Sequence, residues 1–219
     1  MARFDLNKVF PLAFCFIVIA ASAIFSTGAR ASEEQKLAAA FEAYRSAALE
    51  RRGEDAADQV AKGTIAYYQS SRDDALTLSR AALEQRSVID QVLILSLRHY
   101  LSAAELRAMD GRGLFVWAVD EGLVGEEGLR KIRLTGYSIR GREGTGVVTI
   151  NGQRTPFSFR FEREDGKWRL DLLSVMLLAS KVMDMYADKY GDRKKFIEDM
   201  LSLSSGRQTR ADIWLPPVR

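Results

Sequence analysis

A chain of 219 residues, 47% hydrophobic and 28% charged, has the composition of one globular domain rather than of a disordered or fibrous protein. Its formal excess of +3 is small, comes mostly from Arg3, Lys8 and Arg30 against Asp5, and is followed by no basic run, so a nucleic-acid footprint is absent. A single histidine and a single cysteine exclude a disulfide framework and leave a zinc cluster without ligands.

The N-terminus reads as an address. Arg3 and Lys8 precede an apolar run from Val9 to Phe25, and Ala29-Arg30-Ala31 sets small residues where a signal peptidase cuts. Residues 1–31 are therefore expected to be a signal peptide whose removal leaves Ser32 first, in a bacterial periplasm or outside the cell. The alternative is a membrane anchor over 9–25, because the run is long for a signal and short for a span. Cys15 lies inside it, and a lipoprotein box would need a small residue where Phe14 stands. The mature chain then has no cysteine, which suits a periplasm better than a disulfide-stapled secretion.

From Glu33 the pattern is helical. Leu37, Phe41, Tyr44 and Ala48 recur at helical spacing, with Gly53 placed as a C-terminal cap. Asp55 is expected to cap a short helix ending near Lys62-Gly63, and Thr64 another through Tyr67 and Tyr68. Ser71…Asp74, Ser87…Asp90 and Ser102…Glu105 have capping-box spacing and predict helices over 72–85, 88–101 and 103–109. The second is apolar around so much of its circumference that it should be the most buried. Leu114 to Val119 fits either a short helix or a strand.

Leu129 to Leu173 reads as a four-stranded antiparallel meander. Asn151-Gly152 and Asp165-Gly166 accept positive φ at both centres of a type I′ turn. Folding at Asp165-Gly166 sets Glu164 against Lys167, Glu162 against Arg169 and Arg160 against Asp171 on one face. Phe161 meets Leu170 and Phe159 meets Leu172 on the other. The apolar face holds the register, since a slip of one residue would put the phenylalanines in water. Folding at Asn151-Gly152 sets Ile150 against Gln153, Val148 against Thr155 and Gly146 against Phe157. Gly136 marks a β-bulge, where the inward parity changes from Ile132 and Leu134 to Tyr137 and Ile139. Beyond the sheet, Ser174 starts a helix with Val175, Leu178, Ala179, Val182 and Tyr186 inward, stopped by Gly191. Asp192 caps a last helix with Phe196, Ile197 and Met200 on one side. The division is a single α+β domain over 32–203, with a core over about 34–173 and C-terminal helices over 174–203, and an extended tail over 204–219. In that tail Trp214-Leu215-Pro216-Pro217 must find shelter, either on its own domain or on another protein.

Phe41-Glu42-Ala43-Tyr44-Arg45 with Gly53 to Asp58, and the closing Gly166-Lys167-Trp168-Arg169 strand, resemble the nuclear transport factor 2-like (cystatin-like) superfamily. The resemblance implies a curved sheet wrapped with helices into a cone whose mouth holds a small apolar ligand. Members include isomerases and dehydratases, periplasmic lipid carriers and non-catalytic assembly subunits. The chain departs from them in a longer helical insert over 71–121, in residues 174–219, and in lacking a matching acid–base motif.

The candidate chemistry is sparse. His99 sits beside Arg98 and Tyr100 on a helix. Asp120 follows Phe115 to Val119 and is the carboxylate to test for a raised pKa among aromatic rings. Asp120-Glu121 and Glu126-Glu127 are otherwise expected to face solvent. Tyr67, Tyr68 and Trp117 are candidates to line a ligand cavity with Phe157, Phe159 and Phe161; the competing reading places all six in the core. Gly141 to Gly146 lacks the strand-to-helix setting of a phosphate loop and is a hairpin turn. With Asp120 and His99 as the only catalytic candidates, and with no metal or cofactor implied, the chain reads as an exported non-enzymatic module. It would hold a small apolar ligand or lipid, a protein partner or a second copy of itself. The alternative is a cofactor-free lyase or isomerase acting in the cone pocket.

Overall fold

Helix α1 (residues 32–49) forms because its apolar positions share one stripe, and Leu37, Phe41, Tyr44 and Ala48 are all buried. The structure, a computed structural model, describes residues 32–124 and 126–217. The expected signal peptide over 1–31, the anchor over 9–25 with Cys15, and Val218 lie outside them. Among the described residues no helix is long and apolar enough to cross a membrane.

The fold is α+β, with an open antiparallel sheet in the order β1-β2-β3-β4. The strands are β1 (Ile132–Arg140), β2 (Glu143–Ile150), β3 (Gln153–Glu164) and β4 (Lys167–Asp171). The Asp165-Gly166 hairpin has the expected register, with Phe161 opposite Leu170, Glu162 opposite Arg169 and Arg160 opposite Asp171. Arg160 nevertheless reaches Glu143 at 3.7 Å. The expected bulge is present too: register shifts between Thr135 and Ser138, with Gly136 at φ +59°.

One register differs from expectation. Ile150 does pair with Gln153, but Gly146 lies opposite Phe159, not Phe157. Pro156 is the physical reason, since it cannot donate to the ladder and stops pairing there. The Thr155 hydroxyl donates to the Val148 carbonyl (2.9 Å) and accepts from the Phe157 N–H (3.2 Å), closing the distortion with a side chain. Because the slip is two residues, Phe159 and Phe161 keep the buried face while Phe157 is displaced to 41% exposure.

Helix α1 covers that face. Phe41 meets Phe159 edge-on at 5.7 Å between ring centres, and the Trp168 indole N–H donates to Glu33 (3.0 Å). A Cβ on Gly144 would stand 2.3 Å from Leu37, so glycine is what lets α1 sit so close to β2. The β4 edge is closed by residues 59–61, through Leu170 N–H to Gln59 O (2.7 Å) and Ala61 N–H to Leu170 O (2.9 Å).

Several expected helix boundaries move. Gly53 does not cap α1; Arg51 takes the positive φ (55°), and Gly53 opens α2 (Gly53–Ala57), where a Cβ would stand 2.5 Å from the Val116 carbonyl. Helix α3 (Lys62–Thr77) runs unbroken through the expected starts at Thr64 and Ser71. The Thr64 hydroxyl instead accepts from Leu172 N–H (3.2 Å), and that of Ser71 donates back to the Tyr67 carbonyl (2.9 Å). Ser79 caps the short α4 (Arg80–Leu83). Ser87 and Ser102 cap α5 (Val88–Tyr100) and α6 (Ala103–Ala108) as expected. Leu114 to Val119 belongs to α7 (Gly111–Asp120), capped by Asp110, and α8 (Glu126–Lys131) leads into β1.

Helix α9 (Leu173–Tyr190) ends at Gly191 and α10 (Arg193–Ser205) starts at its Asp192 cap, both as read from the sequence. The inward face of α9 is corrected in its second half, since Val175 packs on the core as expected. Val182 (41%) and Tyr186 (53%) are exposed, while Met183 packs on the core and Ala187 is buried. The helix packs against α5 and α10 rather than lying on the sheet, and this rotates its buried stripe.

The tail folds back onto its own domain, with Ile213 and Trp214 buried. Arg98, 1% exposed, holds it. Its guanidinium donates to the carbonyls of Ala75 (2.9 Å) and Leu78 (2.7 Å) at the end of α3, and to that of Ile213 (3.4 Å). The Trp214 indole N–H donates to Glu198 (2.7 Å).

Candidate functional site

The sequence-derived site residues fall into separate places. Phe159 and Phe161 are core residues beneath α1, and Phe157 borders a shallow depression at the β2–β3 hairpin with Arg154 and Ile150. The expected aromatic cluster on the sheet therefore does not form: α1 fills that face. Tyr68 and Trp117 do come together, in a cavity of about 310 Å³ enclosed by α3, α5, α7, α9 and α10. Tyr67 lies in a second cavity of about 380 Å³ beside it.

The inner cavity follows from the helix faces. Helix α5 has more apolar positions than the core uses: Ile94 and Leu95 are buried inward, while Ile89, Val92 and Leu93 stay half-buried on the cavity side, joined there by the buried Leu97. Helix α7 brings Trp117, whose ring lies 6.2 Å from that of Tyr100. Met176 of α9 and Met200 of α10 supply the outer wall with flexible, polarizable side chains. The polar lining is limited to the hydroxyls of Tyr68, Tyr100, Ser96 and Ser204. Burial pushes the Tyr68 phenol up to about 12, so it stays neutral. Such a wall can desolvate an apolar molecule, but it offers no acid–base pair.

The two catalytic candidates lie elsewhere. Asp120 is exposed at the end of α7, and its Oδ1 accepts from the Gly53 N–H (2.7 Å), capping the start of α2. His99 packs under the tail: its Nε2 meets Ser205 Oγ at 3.0 Å, and its Nδ1 is buried without a partner among the described residues. Burial, then Arg207 and Arg210, hold its pKa below the ordinary imidazole value. Neither residue lines the cavity. Among the described residues no cluster of three or more His, Cys, Asp or Glu could hold a metal ion.

The outer cavity holds a carboxylate, Asp90, which the inner one lacks. The Tyr67 hydroxyl donates to Asp90 Oδ1 (2.6 Å), and the Ser87 hydroxyl donates to Asp90 Oδ2 (2.6 Å). Burial first, and then the Asp90 carboxylate, push the Tyr67 phenol upward and keep it protonated. Ile89 and Met176 line both cavities and form the neck between them.

Sequence reasoning missed Ile89, Val92, Leu93, Met176 and Met200. The signal for the first three was the over-apolar circumference of α5, which the reading assigned to burial alone. Comparison of the chain with protein-family models, with curated proteins and with solved structures finds no match.

Proposed function

We propose that the protein is an exported, non-catalytic binding module of nuclear transport factor 2-like type that holds an apolar ligand between its helices. The observation that carries this reading is the inner cavity, walled by Leu93, Trp117, Met176 and Met200 and bordered by neither of the catalytic candidates. Helices followed by a four-stranded meander support the family resemblance at the level of element order. The cavity opens among helices instead of at a cone mouth formed by the sheet, because α1 occupies the sheet's apolar face.

The test is binding of N-phenyl-1-naphthylamine, a probe that fluoresces when desolvated. The wild-type chain should take it up saturably, and Leu93→Trp, which fills the cavity from its wall, should weaken uptake at least about ten-fold with unchanged circular dichroism. Equal uptake by both would place the probe elsewhere and overturn the reading. Mass spectrometry of an organic extract of the purified protein should also show a retained apolar compound. Export has its own check, in that the N-terminus of the mature protein should be Ser32.

A further inference from the structure

Resting on that reading, we propose that the ligand is an amphiphile whose head is a hydrogen-bond donor, an amine or a hydroxyl, seated against Asp90 with its chain passing inward to Trp117. The two cavities share Ile89 and Met176, and the rings of Tyr67 and Tyr68, one in each, lie 6.1 Å apart. One elongated molecule can therefore occupy both if the methionine thioether swings aside, a rotamer change of little cost. The inner end is apolar. The outer end sets Asp90, Ser87, Tyr67 and Ser180 beside Leu173 and Leu177.

The charge there selects the head. Asp90 accepts one hydrogen bond on each oxygen, from Tyr67 and Ser87, and a carboxylate has further lone pairs free for a donor. The positive end of α5, which would otherwise favour an anion, is already served by carboxylates: Asp90 lies in its first turn, and Asp184 accepts from the Val88 N–H (3.3 Å). Two nearby cations have carboxylate partners of their own, Arg193 with Asp184 (2.6 Å) and Arg86 with Asp74 (2.8 Å). A carboxylate or phosphate head would be repelled by Asp90, the one charged residue of that lining. An ammonium or hydroxyl would find an acceptor.

The experiment uses the full mature chain and three probes with one tail: decylamine, 1-decanol and decanoate, each displacing N-phenyl-1-naphthylamine at neutral pH. Decylamine and decanol should bind at least about ten-fold more tightly than decanoate. Asp90→Asn should remove most of decylamine's advantage and leave decanol within about two-fold. Should that variant fail to fold, the wild-type ranking still decides. Equal affinities, or a preference for decanoate, would overturn the polar-mouth assignment while leaving the apolar cavity standing. Failure of N-phenyl-1-naphthylamine itself to bind would overturn both.

Discussion

The sheet and the C-terminal helices fill space in opposite ways. Against the sheet, α1 comes so near that Gly144 has no room for a Cβ beside Leu37, Phe41 meets Phe159 edge-on and Phe161 is fully buried. Between α5, α7, α9 and α10 the facing side chains stop short of one another and leave about 310 Å³. Both regions are apolar, so composition does not separate them. What separates them is the partner: a helix dropped onto a pleated face meets side chains at fixed spacing, whereas converging helices meet at their flanks. The close-packed side carries the stability, and the loose side is free to take a ligand.

The largest effects should come from the packed regions. Phe159→Ala should cost about 3–5 kcal/mol in chemical denaturation, the range for emptying a buried aromatic site. Phe157→Ala, two residues away on the displaced bulge, should stay within about 1 kcal/mol. Equal costs for the two would restore the register expected from the turn alone and undo the role given to Pro156. Trp214→Ala should also fall near 3–5 kcal/mol, because the indole is buried and tied to Glu198. A melting curve overlaying the wild type would mean that the tail is not part of the domain.

Mutations on the cavity wall should be cheaper. Leu93→Ala should cost less than about 2 kcal/mol, since its side chain is already half-exposed to a space with no partner atoms. A cost like that of Phe159→Ala would show the cavity closed in solution. Arg160→Ala, on the wet face of the sheet, should change stability by at most about 1 kcal/mol.

The smallest effect concerns acid. With its pKa held below the unfolded value of 6.5, His99 binds a proton less readily folded than unfolded. Its contribution is therefore complete above about pH 6.5 and falls as the pH drops through that value towards the folded pKa. The melting temperature should decline slightly between pH 7.5 and pH 5, and His99→Gln should flatten that part of the slope. An unchanged slope would assign it to other groups.

Legibility in the sequence followed the same division. Period-two alternation plus two Asn-Gly or Asp-Gly turns names each residue's partner, so the β3–β4 register and the Gly136 bulge could be written down directly. The exception was Pro156, whose effect on pairing was not weighed. Helical stripes say which side is buried but not against what, and so the face of α9 was misjudged by the direction of its neighbours. Serine capping signals worked at Ser87 and Ser102, where the backbone needed them. They misled at Ser71, where the hydroxyl turned back to its own helix. Tyr68 and Trp117 were legible as cavity candidates, but alongside the wrong partners on the sheet. Their neighbours on α9 and α10 lie more than fifty residues further along the chain, and no local rule links them.

Arg98 has a consequence for the order in which the molecule can form. The chain places its guanidinium early, beside the last carbonyls of α3, yet the carbonyl of Ile213, one of its acceptors, lies 115 residues later. Until that residue arrives, a cation would stand at an open seam with Leu97 and Leu101 at its flanks. A chain made with its N-terminus first thus stays unfinished until Ile213 and Trp214 are delivered. Closure of the tail is then the step that commits the helical half, and chains cut before Ile213 should be recognised by proteases as incomplete.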